Sequence, residues 1–235
     1  MRIAVIPARG GSKRIPRKNI KPFAGRPMIE HSVAAAVASG VFDTILCSTD
    51  DEEIAQTARQ AGASTPFIRP AELSDDNTPT APVLRHALEW CLARGWSVDT
   101  MCCIYATAPF VRPEDIRRGL DLLEQHGADS AFTVTTFAFP ILRALKLNAS
   151  GRLEMFWPEH MNTRSQDLPE AFHDAGQFYW LRAQPFLASG VIYTPDAVPV
   201  SLPRHLVQDI DTPEDWLRAE LMHQALTRAP EAYPS

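Results

Sequence analysis

An acidic chain carries a basic loop directly behind its first strand-like run. Residues 9–19 read Arg9-Gly10-Gly11-Ser12-Lys13-Arg14-Ile15-Pro16-Arg17-Lys18-Asn19, against a formal net charge of −5 over 235 residues. Gly10 and Gly11 let backbone N–H groups approach an anion, and Ser12 adds a hydroxyl donor. Arg9, Lys13 and Lys18 supply charge suited to an oligophosphate, including charge that grows on a phosphate leaving group. The loop matches neither the Walker pattern nor the G-x-G-x-x-G fingerprint. A solvated basic turn is the simpler use of a Gly-Gly pair, but ligands of open α/β sheets bind at strand carboxyl ends, where this loop falls. Far along the chain, Asp209 and Asp211 flank Ile210 in an extended stretch, which projects both carboxylates to one side. Mg²⁺ is commonly shared between one or two carboxylates and substrate phosphates. The same acids also suit a helix start, because Asp211 precedes Thr212-Pro213.

These groups need a scaffold. Strand-like runs at 3–8, 44–48, 100–105 and 130–135 alternate with helical patterns, which predicts a mostly parallel sheet covered by helices. Pro27 opens one helix and Gly40 closes it; the acids Asp50, Asp51, Glu52 and Glu53 suit the start of the next. Pro113, Glu114 and Asp115 open a third, which runs towards Gly127. From Phe137 to Asp174 the pattern turns aromatic and loop-rich, with a hairpin predicted where 144–147 and 153–157 flank 148–151. We read 137–174 as an insertion, with the chain back in the sheet at 176–181. A last helix follows Thr212-Pro213-Glu214-Asp215, with Trp216, Leu217, Leu221 and Leu226 as its expected core stripe. The tail 230–235 is expected to be loose.

Composition narrows the classes. With 45% hydrophobic and 22% charged residues the chain fits one large domain. Its negative charge argues against a nucleic-acid or anionic-membrane binder. No apolar stretch is long enough to span a bilayer, and Ile3-Ala4-Val5-Ile6 is broken too soon by Pro7 for a signal peptide. Cys47, Cys91, Cys102 and Cys103 lack C-x-x-C spacing and are read as buried thiols in a reducing cytoplasm, with Cys102 and Cys103 facing opposite ways. Asn148-Ala149-Ser150 matches a glycosylation sequon but reads as turn chemistry ahead of Gly151.

Ile6-Pro7-Ala8-Arg9-Gly10-Gly11-Ser12-Lys13, then Pro16, Lys18-Asn19-Ile20 and Gly25-Arg26-Pro27-Met28-Ile29, resembles the opening of the acylneuraminate (sialic acid) cytidylyltransferases. The resemblance continues through Ser48-Thr49-Asp50, Arg69-Pro70-Ala71-Glu72-Leu73, Ala106 to Pro109 and Asp209-Ile210-Asp211-Thr212-Pro213-Glu214-Asp215, so it spans nearly the whole chain. It implies a Rossmann-like, mostly parallel α/β sheet of the nucleotide-diphospho-sugar transferase type. The chain is then a single domain, 1–235, with 137–174 as a small inserted dimerisation segment. The aromatic content of that segment, with Phe137, Phe139, Phe156 and Trp157, also predicts a homodimer in which it reaches the partner's active site.

The implied reaction couples CTP to an acidic nine-carbon sugar and releases pyrophosphate. CTP phosphates are expected on Arg9 and Lys13, with Gly10, Gly11, Ser12 and Lys18 beside them. Mg²⁺ is expected on Asp209 and Asp211, with Asp211 or a hydroxide beside it as proton acceptor. By resemblance, Asn19 and Arg69 recognise the nucleotide, and Asp76, Thr78 and Thr80 line the cytosine side. Sialate-specific members carry Q-P-T-S-P where this chain has Tyr105-Ala106-Thr107-Ala108-Pro109, and an N-G-A-I-Y-like segment where it has Ala175-Gly176-Gln177-Phe178-Tyr179. Together with Arg164-Ser165-Gln166-Asp167-Leu168 and His173-Asp174, these look like the pseudaminic acid branch. Tyr105 and Thr107 then meet the sugar, Arg164 its carboxylate, and Gln166, Asp174 and Gln177 its acylamino groups. Sialate or legionaminate is the second choice, and a non-catalytic nucleotide- or sugar-binding module the alternative of another class.

Overall fold

The structure, a computed structural model, describes residues 1–228. The expected loose tail lies outside them. Strands β1 (Arg2–Pro7), the two-residue β2 (Pro22–Phe23) and β3 (Arg26–Pro27), and β4 (Thr44–Ser48) come first, with helices α1 (Met28–Ser39) and α2 (Glu52–Ala61). Helix α3 (Thr80–Leu92), β5 (Thr100–Ile104), α4 (Pro113–His126) and β6 (Ser130–Thr136) follow. The hairpin β7 (Leu145–Leu147) and β8 (Leu153–Met155) precedes β9 (Phe172–Arg182), α5 (Ala183–Ser189), β10 (Val198–Ser201) and α6 (Pro213–Arg228).

Six strands form one sheet in the order β10-β6-β9-β5-β1-β4. The β10–β6, β5–β1 and β1–β4 pairs are parallel, whereas β9 runs antiparallel to both its neighbours. The expected mostly parallel α/β sheet is therefore present. The return from the insertion begins earlier than the sequence suggests: Phe172, His173 and Asp174 already pair with Thr136, Thr135 and Val134.

Period-2 alternation divides the core between the two faces. Ala4, Ile6, Cys102, Ile104, Phe178 and Trp180 pack with α1, α2 and α4, while Ile3, Val5, Met101, Cys103, Tyr179 and Leu181 pack with α3 and α5. Cys102 and Cys103 thus face opposite ways, and all four thiols are free and buried. Helix α4 lies close on β9, because a Cβ at Gly119 would stand 2.8 Å from Phe178 Cε2 and 2.8 Å from Trp180 Cδ1. In the β2–β3 turn Ala24 and Gly25 both have positive φ, as a two-residue primed turn requires.

The punctuation of the helices agrees with their sequence. Asp51 accepts from Ile54 N and caps α2, while Gly40 and Gly127 close α1 and α4 in the left-handed region. Asn148 Oδ1 accepts from Ser150 N, Ser150 Oγ and Arg152 N, so the sequon is turn chemistry in the β7–β8 hairpin. The stripe expected on α6 needs correction. Trp216 and Ala219 are buried, with Met222 and Leu226 packed beside them, but Leu217 and Leu221 are exposed. Burial follows the i, i+3, i+6, i+10 row, and Leu217 and Leu221 sit one step round the helix from it.

Candidate active site

Strands β1, β4 and β5 run parallel and end at one edge of the sheet, so the loops that follow them converge. The loops after β1 and β5, with Arg69, residues between 73 and 83, and Asp211, line a cleft of about 440 Å³. Arg9, Ser12, Lys13, Lys18, Asn19, Arg69, Asp76, Thr78, Thr80, Tyr105, Thr107 and Asp211 all face it, although they come from five separate parts of the chain. Sequence reasoning passed over Asp75 and Val83 on the same wall, and gave no role to Leu73 and Arg14, which lay within quoted motifs.

Cations of the cleft are held by carboxylates of the chain itself. Arg9 Nη1 donates to Asp76 Oδ1 at 2.5 Å and to the Asp75 carbonyl at 2.9 Å, and Lys13 pairs with the other Asp76 oxygen. Lys13 first and Arg9 second hold the Asp76 carboxyl below the usual carboxylate range. Arg69 is only 4% exposed; its Nε donates to Ser74 Oγ at 3.1 Å, and Asp50 lies 3.6 Å from its Nη2. Burial lowers the Arg69 pKa from the ordinary guanidinium value, and Asp50 opposes that effect. A buried arginine ahead of a cleft is not a surface charge. Asn19 is buried and donates to the Arg9 carbonyl at 2.9 Å, which ties the two ends of the basic loop together.

Gly10 serves two local contacts. Its N–H donates to Asp50 Oδ1 at 3.0 Å, and a Cβ there would lie 2.7 Å from Asp51 Oδ2. Around Gly11 a Cβ would meet nothing within 4 Å. Asp51 is itself fixed, because Arg17 binds both its oxygens while Oδ1 caps α2.

The helix-start reading of Asp211 has a direct answer. Thr212 Oγ1 accepts from Asp215 N at 3.2 Å, and Asp215 Oδ2 accepts from Thr212 N at 2.8 Å, a reciprocal cap of α6. Thr212 therefore does the capping. Asp211 turns to the cleft, where Arg14 Nη2 lies 2.9 Å and Lys18 Nζ 3.2 Å from its two oxygens; Lys18 also donates to the Ile210 carbonyl at 2.6 Å. Asp209 stands at the surface but is flanked closely enough that desolvation, then the Asp211 charge, raises its carboxyl above the ordinary value. Buried Ile210 anchors the pair against Trp216. Of the two aspartates expected to hold a metal, Asp211 lines the cleft with both oxygens paired to cations, while Asp209 is not among the residues that line it; carboxylate oxygens are the donor type that Mg²⁺ takes.

Residues assigned to the sugar divide. Tyr105 and Thr107 line the cleft. Gln177 is buried, donates from Nε2 to the Leu206 carbonyl at 2.6 Å, and leaves Oε1 buried with no protein partner. Asp174 receives the Tyr179 and Tyr193 hydroxyls at 2.6 and 2.7 Å. Arg164 is exposed and forks onto Asp167 at 2.6 and 3.0 Å, away from the cleft of its own chain. Gln166 lines a separate hollow of about 670 Å³ beneath the insertion. That insertion exposes Phe139, Leu145, Leu147, Leu153, Phe156 and Met161.

The cytidylyltransferase family model matches residues 3–188. The chain belongs to the cytidylyltransferase family. It is 41% identical over 222 residues to the pseudaminic acid cytidylyltransferase of Campylobacter jejuni subsp. jejuni serotype O:2, covering 94% of this chain and 96% of that one. It is 31% identical over 222 residues to the CMP-N,N'-diacetyllegionaminic acid synthase of Legionella pneumophila, covering 93% and 94%. Among solved structures, CMP:2-keto-3-deoxy-manno-octonic acid synthetase complexed with CTP superposes with a TM-score of 0.66 at 19% identity, covering 96% of this chain and 99% of that one, a likeness of fold. In this cytidylyltransferase the cleft lies within the matched region except for the Asp211 wall, which the 209–215 segment adds from outside it.

Proposed function

We propose that this cytidylyltransferase transfers CMP from CTP to the anomeric hydroxyl of pseudaminic acid, giving CMP-pseudaminic acid and pyrophosphate. The observation that carries the substrate is the 41% identity, along nearly the full length of both chains, to a relative named for that sugar. Tyr105 in the cleft supports it, since a phenol offers an apolar face to a deoxy sugar with a methyl terminus. The second reading, a legionaminate or N-acylneuraminate substrate, draws on the 31% identity to the Legionella protein.

In this reading Arg9 and Lys13 exchange Asp76 for the β- and γ-phosphates, while Arg69 and Asn19 hold the nucleotide and Asp76, Thr78 and Thr80 border the base. The anomeric oxygen bonds to the α-phosphorus as the bond to the β-phosphate oxygen breaks, and pyrophosphate leaves. Asp211, or a hydroxide beside it, accepts the hydroxyl proton. Positioning and fixed charge supply most of the rate. Asp209 and Asp211 would hold Mg²⁺, which when bound neutralises phosphate charge and makes the hydroxyl more acidic. The protein works as a homodimer in the cytoplasm, with the exposed apolar residues of the insertion covered by a second copy and Arg164 and Gln166 directed to the partner's cleft.

The test is pyrophosphate release from CTP with pseudaminic, legionaminic and N-acetylneuraminic acids side by side. The highest kcat/KM is expected for pseudaminic acid, and a clear preference for N-acetylneuraminic acid refutes the assignment. Asp209→Ala and Asp211→Ala are expected to stay folded and lose turnover, as is wild type in EDTA. Normal rates in any of the three overturn the metal role, and a monomeric mass in solution overturns the dimer.

A further inference from the structure

A buried amide ties two walls of the cleft to the sheet. Gln177 lies in β9 at 3% exposure and is not among the residues that line the cleft. Its carbonyl accepts from Tyr105 N at 2.9 Å, which continues the β5–β9 ladder into the loop that carries Tyr105 and Thr107. Its side chain makes the second tie. Nε2 donates to the Leu206 carbonyl at 2.6 Å, in the short 3₁₀ turn Arg204–Leu206 that precedes Asp209 and Asp211. Oε1 is buried without a hydrogen-bond partner among the described residues.

Side chains from the rest of the fold hold the connection from β10 to α6 at successive points. Thr135 Oγ1 donates to the Leu202 carbonyl at 2.8 Å, Gln177 holds Leu206, and Lys18 Nζ donates to the Ile210 carbonyl at 2.6 Å beside Asp211. Lys18 is itself a cation of the cleft, so Gln177 is the neutral, enclosed tie ahead of Asp211. Without it the stretch free to wander grows from 206–210 to 202–210, and a longer stretch places its carboxylates less sharply. An amide that leaves its own oxygen buried and unpaired costs stability that an apolar side chain would not. What its nitrogen holds accounts for the amide at this position.

We infer that Gln177 is a positioning residue: through the Leu206 carbonyl it sets where the 207–211 segment places Asp211 against the cleft, and it does not read the sugar. The inference rests on the proposed reading of Asp211 as a group at the reacting atoms. It replaces the expectation that Gln177 meets an acylamino group, since the side chain is enclosed, lies off the cleft and gives its donor to a backbone carbonyl. The two roles separate kinetically. A residue that orients a catalytic group moves kcat, whereas one that binds a substrate equally in ground and transition states moves KM.

Gln177→Met keeps the length of the side chain and the backbone bond to Tyr105 but cannot donate to Leu206. Its kcat is expected to fall by about tenfold or more, since a small misplacement of a reacting group costs up to about a hundredfold, while KM for CTP and for the acidic sugar each stay within about twofold. Amide hydrogen exchange in peptides spanning 207–211 should quicken in the same variant. Thr135→Val removes a buried bond at the start of the same connection, so it should lower Tm and leave kcat and the 207–211 amides as they were. Should Gln177→Met fail to fold, Gln177→Asn, whose amide stops one carbon short, carries the same expectations. The inference is overturned if the folded variant keeps kcat, if its loss falls on KM for the sugar, if its 207–211 amides exchange as in wild type, or if Thr135→Val lowers kcat equally. Normal turnover by Asp211→Ala, or a wild-type enzyme silent with every acidic sugar, refutes the parent reading instead; the hold of Gln177 on the segment is then judged on exchange alone.

Discussion

Adding one methyl group at Gly10 sets the phosphate-side loop against the start of α2. The new Cβ would lie 2.7 Å from Asp51 Oδ2 and 3.1 Å from Asp51 Cβ, so something must move. Asp51 cannot step aside freely. It caps α2 through Ile54 N at 3.0 Å and receives both Arg17 nitrogens, one of them at 3.1 Å. Displacing it forfeits a cap worth about 1 kcal/mol and an ion pair that, with Arg17 39% exposed, is discounted to roughly 0.5 kcal/mol. Gly10→Ala should therefore destabilise by about 1.5 kcal/mol, which lowers Tm by roughly 3–6 °C in a chain of this size. Because the alternative response is a shift of the loop that carries Ser12 and Lys13, KM for CTP should rise as well. The decisive measurement is a double-mutant cycle with Asp51→Ala by urea unfolding. Asp51→Ala removes the carboxylate that stands at 2.7 Å and leaves only the Cβ at 3.1 Å, so Gly10→Ala should cost clearly less in that background than in the wild type. Additive losses would refute the claim that Gly10 is glycine because of Asp51.

Two further outcomes follow from buried titratable groups. Burial pushes the Cys47 thiol up to about 12 and Cys91 to about 11, and raises Cys102 and Cys103 further still, so a thiol reagent at pH 8 should label essentially none of the four in the native protein and all of them after unfolding. His31 is buried with Nε2 donating to the Phe23 carbonyl at 3.0 Å, and desolvation, helped by Arg26 and His223, lowers its pKa below the ordinary histidine value. Its contribution to stability is complete above the unfolded pKa of about 6.5 and is lost as pH falls through the folded value. Urea midpoints should therefore drop between pH 7 and pH 5, and His31→Gln, which can still donate to Phe23, should flatten that slope; an unchanged slope would be evidence against a neutral buried imidazole.

Legibility in the sequence tracked how local each signal was. The central strands were legible because residues buried on both faces write continuous apolar runs, as in Ile3-Ala4-Val5-Ile6. Helices α1, α2 and α4 were legible from Pro27, the acids at 50–53 and Pro113 at their starts, and α1 and α4 also from Gly40 and Gly127 at their ends. Helix α3 was not, since Pro79 and Pro82 at its first turn mimic a loop, although Pro in the first turn is compatible with a helix. Strand β10 reads Val198-Pro199-Val200-Ser201 and hides behind a proline that only an edge strand tolerates. In the cleft, the Gly-Gly loop and the aspartate pair carried their own chemistry. What sequence could not supply was pairing over long separations: Asp76 with Arg9 and Lys13, or Asp211 with Arg14 and Lys18. Those contacts depend on which loops the topology brings to one edge of the sheet.

That long-range pairing bears on how an acidic protein handles a polyanion. Arg9 and Lys13 meet Asp76, Arg14 and Lys18 meet Asp211, and Arg69 meets Asp50, so five cations are held by three carboxylates. The arrangement keeps the cations converged without a ligand, and convergence is the part of binding that would otherwise have to be paid in conformational entropy. The partners differ in depth. Asp76 is held low by its two cations yet lies open to solvent, so exchanging it for phosphate gives up a weak, screened contact. Arg69 is almost wholly enclosed while Asp50 keeps access to solvent, so it is the guanidinium that has no water to turn to and is held in place by its surroundings and by Asp50. The outer cations are therefore free to trade partners with an incoming nucleotide, while the inner one stays as a fixed point against which that nucleotide is set.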